Sequence, residues 1–227
     1  MQLLIDSADL EKIKQLYAYY PVDGVTTNPS ILARSGRPPY EVLQEIRAFI
    51  GDEAQLHAQV VSDTAEQMVA EGHEIARRLG KQTYIKIPVV PEGLKAIRIL
   101  KQEGYRVTAT AIYTPMQAYL AAKAGADYAA PYVNRMELLT NNGISSAQAI
   151  QTIFWENGFD TQVLAASFKT VQQVQSLCEF GIDACTISPQ VMEAFLQNDA
   201  VTAALEVFQK DFQNLCGEGK TMLNCDV

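Results

Sequence analysis

The chain predicts an α/β fold, a single (β/α)8 barrel of the TIM type with one additional helix toward the C-terminal end. Three observations carry this. Short runs rich in β-branched residues alternate with longer stretches of helical period along the whole chain. The alternation reaches eight strand–helix units, at about 28 residues each the repeat of a small (β/α)8 barrel. No GxGxxG follows the first strand, as a dinucleotide-binding open sheet would require. A doubly wound open sheet of flavodoxin or Rossmann type is the structural alternative.

The first strand is read at 2–6 (QLLID), then a helix at 8–20 with Ser7 as its expected N-cap. The second strand is 24–28 (GVTTN), with a helix near 40–50. The third is 56–61 (LHAQVV), followed by a helix at 64–79. The fourth, 83–89 (TYIKIPV), precedes a helix that starts near Pro91, where proline suits the first turn. The fifth is 106–113, with a helix at 115–124. The sixth is 127–133, then a loop at Asn141-Asn142-Gly143 and a helix at 145–156. The seventh is 162–167 with a helix at 170–179, and the eighth 183–188 with a helix at 189–196. A helix at about 201–216 and a short tail remain. No linker or composition shift divides the chain, so residues 1–227 are read as one domain.

The 227 residues are 48% hydrophobic and 19% charged, enough to fill a core. A net charge of −8 and a pI near 4.8 disfavour broad binding to nucleic acid. No run of ~18 apolar residues exists to span a membrane. The opening MQLLIDSADLEK lacks the basic flank of a signal peptide, which makes a cytoplasmic location the expectation. Cys178, Cys185, Cys216 and Cys225 show no CxxC spacing, and with only His57 and His73 no usual zinc ligand set assembles, so no metal is expected. Neither histidine has an evident partner, and both are read as structural. The Gly217–Thr221 string imitates a P-loop, but Asn214 stands where that motif needs glycine and a helix precedes it.

Barrel chemistry sits at the C-terminal ends of the strands. The polar residues there are Asp6, Thr26 with Asn28, Gln59, Lys86, Thr110, Tyr132 with Arg135, Ser167 with Lys169, and Ser188. Lys86 is the unusual one, because its strand neighbours are apolar on both sides. Desolvation disfavours an ammonium and frees the amine as a nucleophile, as Schiff-base chemistry needs. The competing reading is a structural lysine paired with a buried carboxylate, with Asp6 as the candidate. Asp6 is equally a helix cap, and Gln59 equally a partner for a buried backbone group. Thr110 suits either a strand or a bound water, and Tyr132 either a core or an acid–base role. Arg135, Ser167 and Lys169 suggest an anion site beside strand seven, against a reading as solvated surface groups.

Four segments resemble one known family: Gly24-Val-Thr-Thr-Asn-Pro-Ser30, Ile85-Lys-Ile-Pro88, Pro131-Tyr-Val-Asn-Arg135 and Ala165-Ala-Ser-Phe-Lys-Thr170. In order and spacing they are similar to the short transaldolase-type class I aldolases, across essentially the whole chain. The resemblance implies a barrel enzyme without cofactor or metal that cleaves and forms fructose 6-phosphate from dihydroxyacetone and glyceraldehyde 3-phosphate. It implies that Lys86 forms the imine and that Tyr132 shuttles protons with a water held by Gln59 and Thr110. Asp6 and Asn28, with Thr26 beside them, would hold donor hydroxyls, and Arg135 and Ser167 the phosphate. Transaldolases of this group carry glutamate where Gln59 stands and phenylalanine where Tyr132 stands, so the chain resembles the aldolase branch. It also implies a homo-oligomer, a pentamer or decamer, with the last helix packed on a neighbour. The alternatives are a transaldolase, a non-catalytic sugar-phosphate-binding barrel, and a purely structural oligomer.

Overall fold

The structure, a computed structural model, describes residues 1–140 and 142–225. Its elements run β1 Gln2–Asp6, α1 Leu10–Tyr19, β2 Gly24–Thr26, α2 Pro29–Arg34, α3 Pro39–Ile50, β3 Gln55–Gln59 and α4 Ala65–Leu79. There follow β4 Tyr84–Pro88, α5 Pro91–Gln102, β5 Arg106–Ile112, α6 Pro115–Lys123, β6 Tyr128–Pro131 and α7 Val133–Thr140. The series closes with α8 Gly143–Glu156, β7 Gln162–Ala165, α9 Val171–Phe180, β8 Ala184–Ile187, α10 Pro189–Glu193 and α11 Asp199–Cys216. The strands form a closed parallel barrel in sequence order, with β1 paired to both β2 and β8. Closure excludes the open-sheet alternative and leaves no edge strand exposed. By internal contacts the chain divides into two compact units, Met1–Met192 with the barrel and Glu193–Val227 with α11.

The sequence explains most of the helix starts. Pro29, Pro39, Pro91 and Pro115 open α2, α3, α5 and α6, where the missing N–H costs nothing. Thr114 and Thr170 each form a capping box with the glutamine three residues on, Gln117 and Gln173. The cap of α1 is Asp9, not Ser7; the Ser7 hydroxyl instead accepts from the Asp9 N–H. Strand residues such as Ile5, Val25, Ile85, Ile87 and Val107 are wholly buried, as expected of a parallel sheet with one face on the helices and the other on the barrel interior.

Two helices were not expected from periodicity. Helix α2 is too short to show a period, and α7 occupies chain that reads as a loop. Of the predicted loop at 141–143, Asn141 lies outside the described residues, and Gly143 already begins α8. Glycine is required there: a Cβ would clash with the carbonyl oxygen of Val133.

Strand β5 holds the main irregularity. It pairs with β6 at Ala109↔Ala129 and next at Ile112↔Pro131, so β5 carries one extra residue. Ala111, with φ of 57°, supplies it from the left-handed region. Side chains beyond the bulge therefore change face relative to strict alternation.

Candidate active site

At the C-terminal ends of the strands the barrel opens into a cavity of about 1050 Å³. Asp6, Asn28, Gln59, Lys86, Tyr132, Arg135, Ser167, Lys169 and Ser188 all line it. Thr26 and Thr110 do not; both are fully buried behind that wall. The residues selected from the sequence thus share one site, nine of the eleven strand-end candidates at its surface and two buried beside it.

Lys86 points inward from β4, in register with Gln59 and Thr108 on the flanking strands. It is only 5% exposed, and its Nζ donates to the Thr27 carbonyl at 2.8 Å. Thr27 is itself held, since its N–H and its hydroxyl both donate to the His57 carbonyl at 3.0 Å. Burial pushes the proton affinity of the amine down from the ordinary lysine value, opposed only in part by the charge of Asp6. Lys86 is therefore not the carboxylate-paired structural lysine that the sequence left open: its hydrogen-bond partner is a neutral carbonyl.

Asp6 ends β1 and accepts from the Thr26 hydroxyl at 2.8 Å. That hydroxyl also meets the Thr186 hydroxyl, so β8, β1 and β2 are tied together beneath the cavity. Burial raises the carboxyl's proton affinity above the usual aspartate value, and Lys86, the Thr26 hydrogen bond, Arg34 and Arg135 pull it back in that order. Asn28 caps α2, accepting from the Ile31 N–H at 3.0 Å. Asn28 also lines the cavity, and its amide nitrogen is a donor that the capping bond does not use. The Gln59 Oε1 is buried without a protein partner, an atom that a water or a ligand hydroxyl would satisfy.

On the far side of the mouth the Thr110 hydroxyl and the Tyr132 phenol lie 3.0 Å apart. Tyr132 stands just past β6, bridged to Ala166, and the chain then turns directly into α7, which carries Arg135 on its first turn. Arg135 lies over the Tyr132 ring at 4.6 Å and donates to the Tyr113 hydroxyl at 3.1 Å. Ser167 sits in the left-handed region at φ of 65°, which turns the chain out of β7 toward the cavity. The following helix end offers fewer donors than the sequence suggests: the Lys169 and Thr170 N–H groups already donate to the Gln173 side chain.

Below the floor lies a polar network that the sequence did not reveal. His57 is fully buried; its Nδ1 lies 2.8 Å from the Thr108 hydroxyl and its Nε2 3.0 Å from Gln55 Oε1. The Gln55 amide nitrogen donates to Gln2 and Tyr128, so its oxygen must accept, which assigns the proton to His57 Nε2. Burial, then the charges of Lys86 and Arg47, push His57 well below the ordinary histidine value. His73 also has a partner, Glu103 at 2.6 Å. The Thr108 contact of His57 and the Glu103 contact of His73 join residues far apart in the chain, whereas Gln55 lies two residues from His57 on β3. Tyr113, too, was missed, because strict alternation along β5 turns it away from the cavity it in fact lines. Among the described residues, no three His, Cys, Asp or Glu side chains gather as metal ligands, and no helix is long and apolar enough to cross a membrane.

Comparison with known proteins follows the same lines. The model of the Transaldolase/Fructose-6-phosphate aldolase family matches residues 3–223. A protein of Streptococcus pneumoniae (strain ATCC 700669 / Spain 23F-1) described as a probable fructose-6-phosphate aldolase is 38% identical over 213 residues, 93% of this chain and 96% of that one. Among solved structures, one described as native KDPGal superposes with a TM-score of 0.57 at 18% identity, covering 82% of this chain and 85% of the other. A racemase from Streptomyces coelicolor A3(2) with bound magnesium gives 0.55 at 14%, covering 83% of this chain and 52% of its own. At such identities these two share the fold alone.

Proposed function

The chain belongs to the transaldolase/fructose-6-phosphate aldolase family, and from that premise we propose that it is a metal-independent class I aldolase working through an imine on Lys86. The observation that carries this reading is the dry amine of Lys86 at the cavity floor, its proton affinity lowered by burial.

In the cleavage direction the free amine adds to the C2 carbonyl of fructose 6-phosphate. Loss of water leaves a protonated iminium. A base removes the proton of the C4 hydroxyl, the C3–C4 bond breaks, and its electron pair passes into the iminium. Glyceraldehyde 3-phosphate departs and an enamine remains on Lys86. Protonation at C3 and hydrolysis then release dihydroxyacetone and the free lysine. Tyr132, beside Thr110, serves as the proton carrier, with a water on the unpartnered Gln59 oxygen. Asp6 and Asn28 hold the hydroxyls of the three-carbon donor, and Thr26 keeps Asp6 in place. Arg135 and Ser167 receive the phosphate.

The test is borohydride reduction in the presence of dihydroxyacetone, followed by peptide mass spectrometry. A reduced adduct on Lys86, with turnover surviving a chelator, is expected; full activity with no adduct on that peptide refutes the mechanism. Transaldolase activity is the second reading, favoured by the family's joint name. Release of free dihydroxyacetone, undiminished by erythrose 4-phosphate, separates the aldolase from it.

The protein is further proposed to act in the cytoplasm as a homo-oligomer. Helix α11 buries none of its residues, and Val201, Leu205, Phe208 and Leu215 recur on one face at helical spacing, all exposed. Sedimentation of the full chain tests this.

A further inference from the structure

Tyr113 holds a position that the proposed reaction leaves unexplained. Thr108 and Thr110 face the barrel interior from β5, and uninterrupted alternation would send Tyr113 outward to the helices. The extra residue at Ala111 reverses this: Ile112 is buried away from the cavity, and Tyr113 lines it. There the Tyr113 ring meets Tyr132 edge to face, centroids 5.5 Å apart at 81°, and its hydroxyl accepts from Arg135 Nη1 at 3.1 Å. Arg135 is thus gripped on two sides, by a phenol oxygen and by the face of the Tyr132 ring at 4.6 Å. Among the described residues it forms no ion pair with a carboxylate.

We propose that Tyr113 is a positioning residue for the phosphate-bearing end of the substrate, holding the Arg135 guanidinium in its receiving orientation without cancelling its charge. A carboxylate in that place would orient the arginine equally well but would compete with an incoming phosphate. A phenol accepts one N–H, leaves the positive charge whole, and leaves the rest of the planar fork for phosphate oxygens. Fixing a long, rotamer-rich side chain in advance removes part of the ordering cost from the binding step. The inference rests on the reading of Arg135 as the phosphate-binding group.

Tyr113→Phe removes the hydroxyl and keeps the ring contact with Tyr132. Two measurements on the full chain decide the matter. Titration calorimetry with inorganic phosphate is expected to show binding weakened about 3- to 10-fold. In the addition of dihydroxyacetone, the ratio of kcat/KM for glyceraldehyde 3-phosphate to that for glyceraldehyde is expected to fall by a similar factor, through KM. In an Arg135→Ala background, adding Tyr113→Phe should move that ratio by less than about 2-fold, because the two residues act as one unit. Unchanged phosphate affinity, no phosphate binding by the native protein, an equal loss on both acceptors through kcat, or additive losses in the double variant would each overturn the proposal. If the native protein turns over neither acceptor, the aldolase reading fails instead, and the calorimetric comparison still decides the role of Tyr113.

Discussion

The amine of Lys86 donates to the main-chain carbonyl of Thr27 at 2.8 Å and makes no direct ion pair with Asp6. A neutral acceptor orients the nitrogen without stabilising its charge to the extent a carboxylate would, so burial is left to lower its proton affinity. Asp6 acts only through space, and in the opposite sense. Since the free base is the nucleophile, the rate of borohydride trapping should rise with pH and level off through a midpoint below the ordinary lysine value of 10.5. Asp6→Asn removes the charge that favours the ammonium, so the midpoint should move to lower pH. A midpoint that stays put or rises would show that Asp6 does not act on Lys86 in this way.

The Thr110–Tyr132 hydrogen bond at 3.0 Å makes a separate prediction. Tyr132→Phe should leave the reduced Lys86 adduct intact while lowering kcat by about 10²–10⁴, the range of a positioned acid–base group. Steady-state kinetics and the trapping assay, run on one preparation, check it. Loss of the adduct together with turnover would mean that Tyr132 serves imine formation or the fold.

His57 bears on stability through pH. Its folded-state proton affinity lies well below the ordinary value of 6.5, so below that pH the unfolded chain binds the extra proton and the folded one does not. The contribution of neutral His57 is whole above 6.5 and is lost as the pH falls, by about 1.4 kcal/mol per pH unit until the folded group itself titrates. The raised carboxyl of Asp6 works in the opposite direction, but it is present in both proteins when His57→Phe is compared with the native chain. Urea unfolding at pH 7 and pH 5 should show a smaller acid loss in the variant. Equal losses would place the acid sensitivity elsewhere.

Ala111 at φ of 57° tests the bulge. A β-branched side chain is strongly disfavoured in the left-handed region, so Ala111→Val should destabilise the fold by about 1–3 kcal/mol. It should also weaken phosphate binding, because Tyr113 depends on the bulge for its place. Ala111→Gly suits the dihedral and is expected within about 1 kcal/mol of the native protein. Denaturant midpoints of the two variants check the order, and a valine variant as stable as the glycine one contradicts it.

The alternation of strands and helices, the eightfold count and the strand-end polar residues were legible in the chain because each depends on local period and spacing. So was the oddity of Lys86, since a lysine flanked by Tyr84, Ile85 and Ile87 is anomalous without any knowledge of its surroundings. Helices α2 and α7 were not legible, being too short to show a period. Their starts follow from Asn28 with Pro29 and from the turn at Tyr132, which only the packed barrel stabilises.

What the linear order of residues determined, then, was the architecture and the set of groups able to do chemistry, because strand parity and helix period are properties of neighbours. What only the closed barrel decided was how those groups act together. It gave Lys86 a carbonyl in place of a carboxylate, brought Thr108 of β5 to His57, and turned Tyr113 inward. The physical reason is that desolvation and hydrogen-bond partnership depend on atoms distant in the chain, and that one extra residue in a strand reverses the facing of every side chain beyond it.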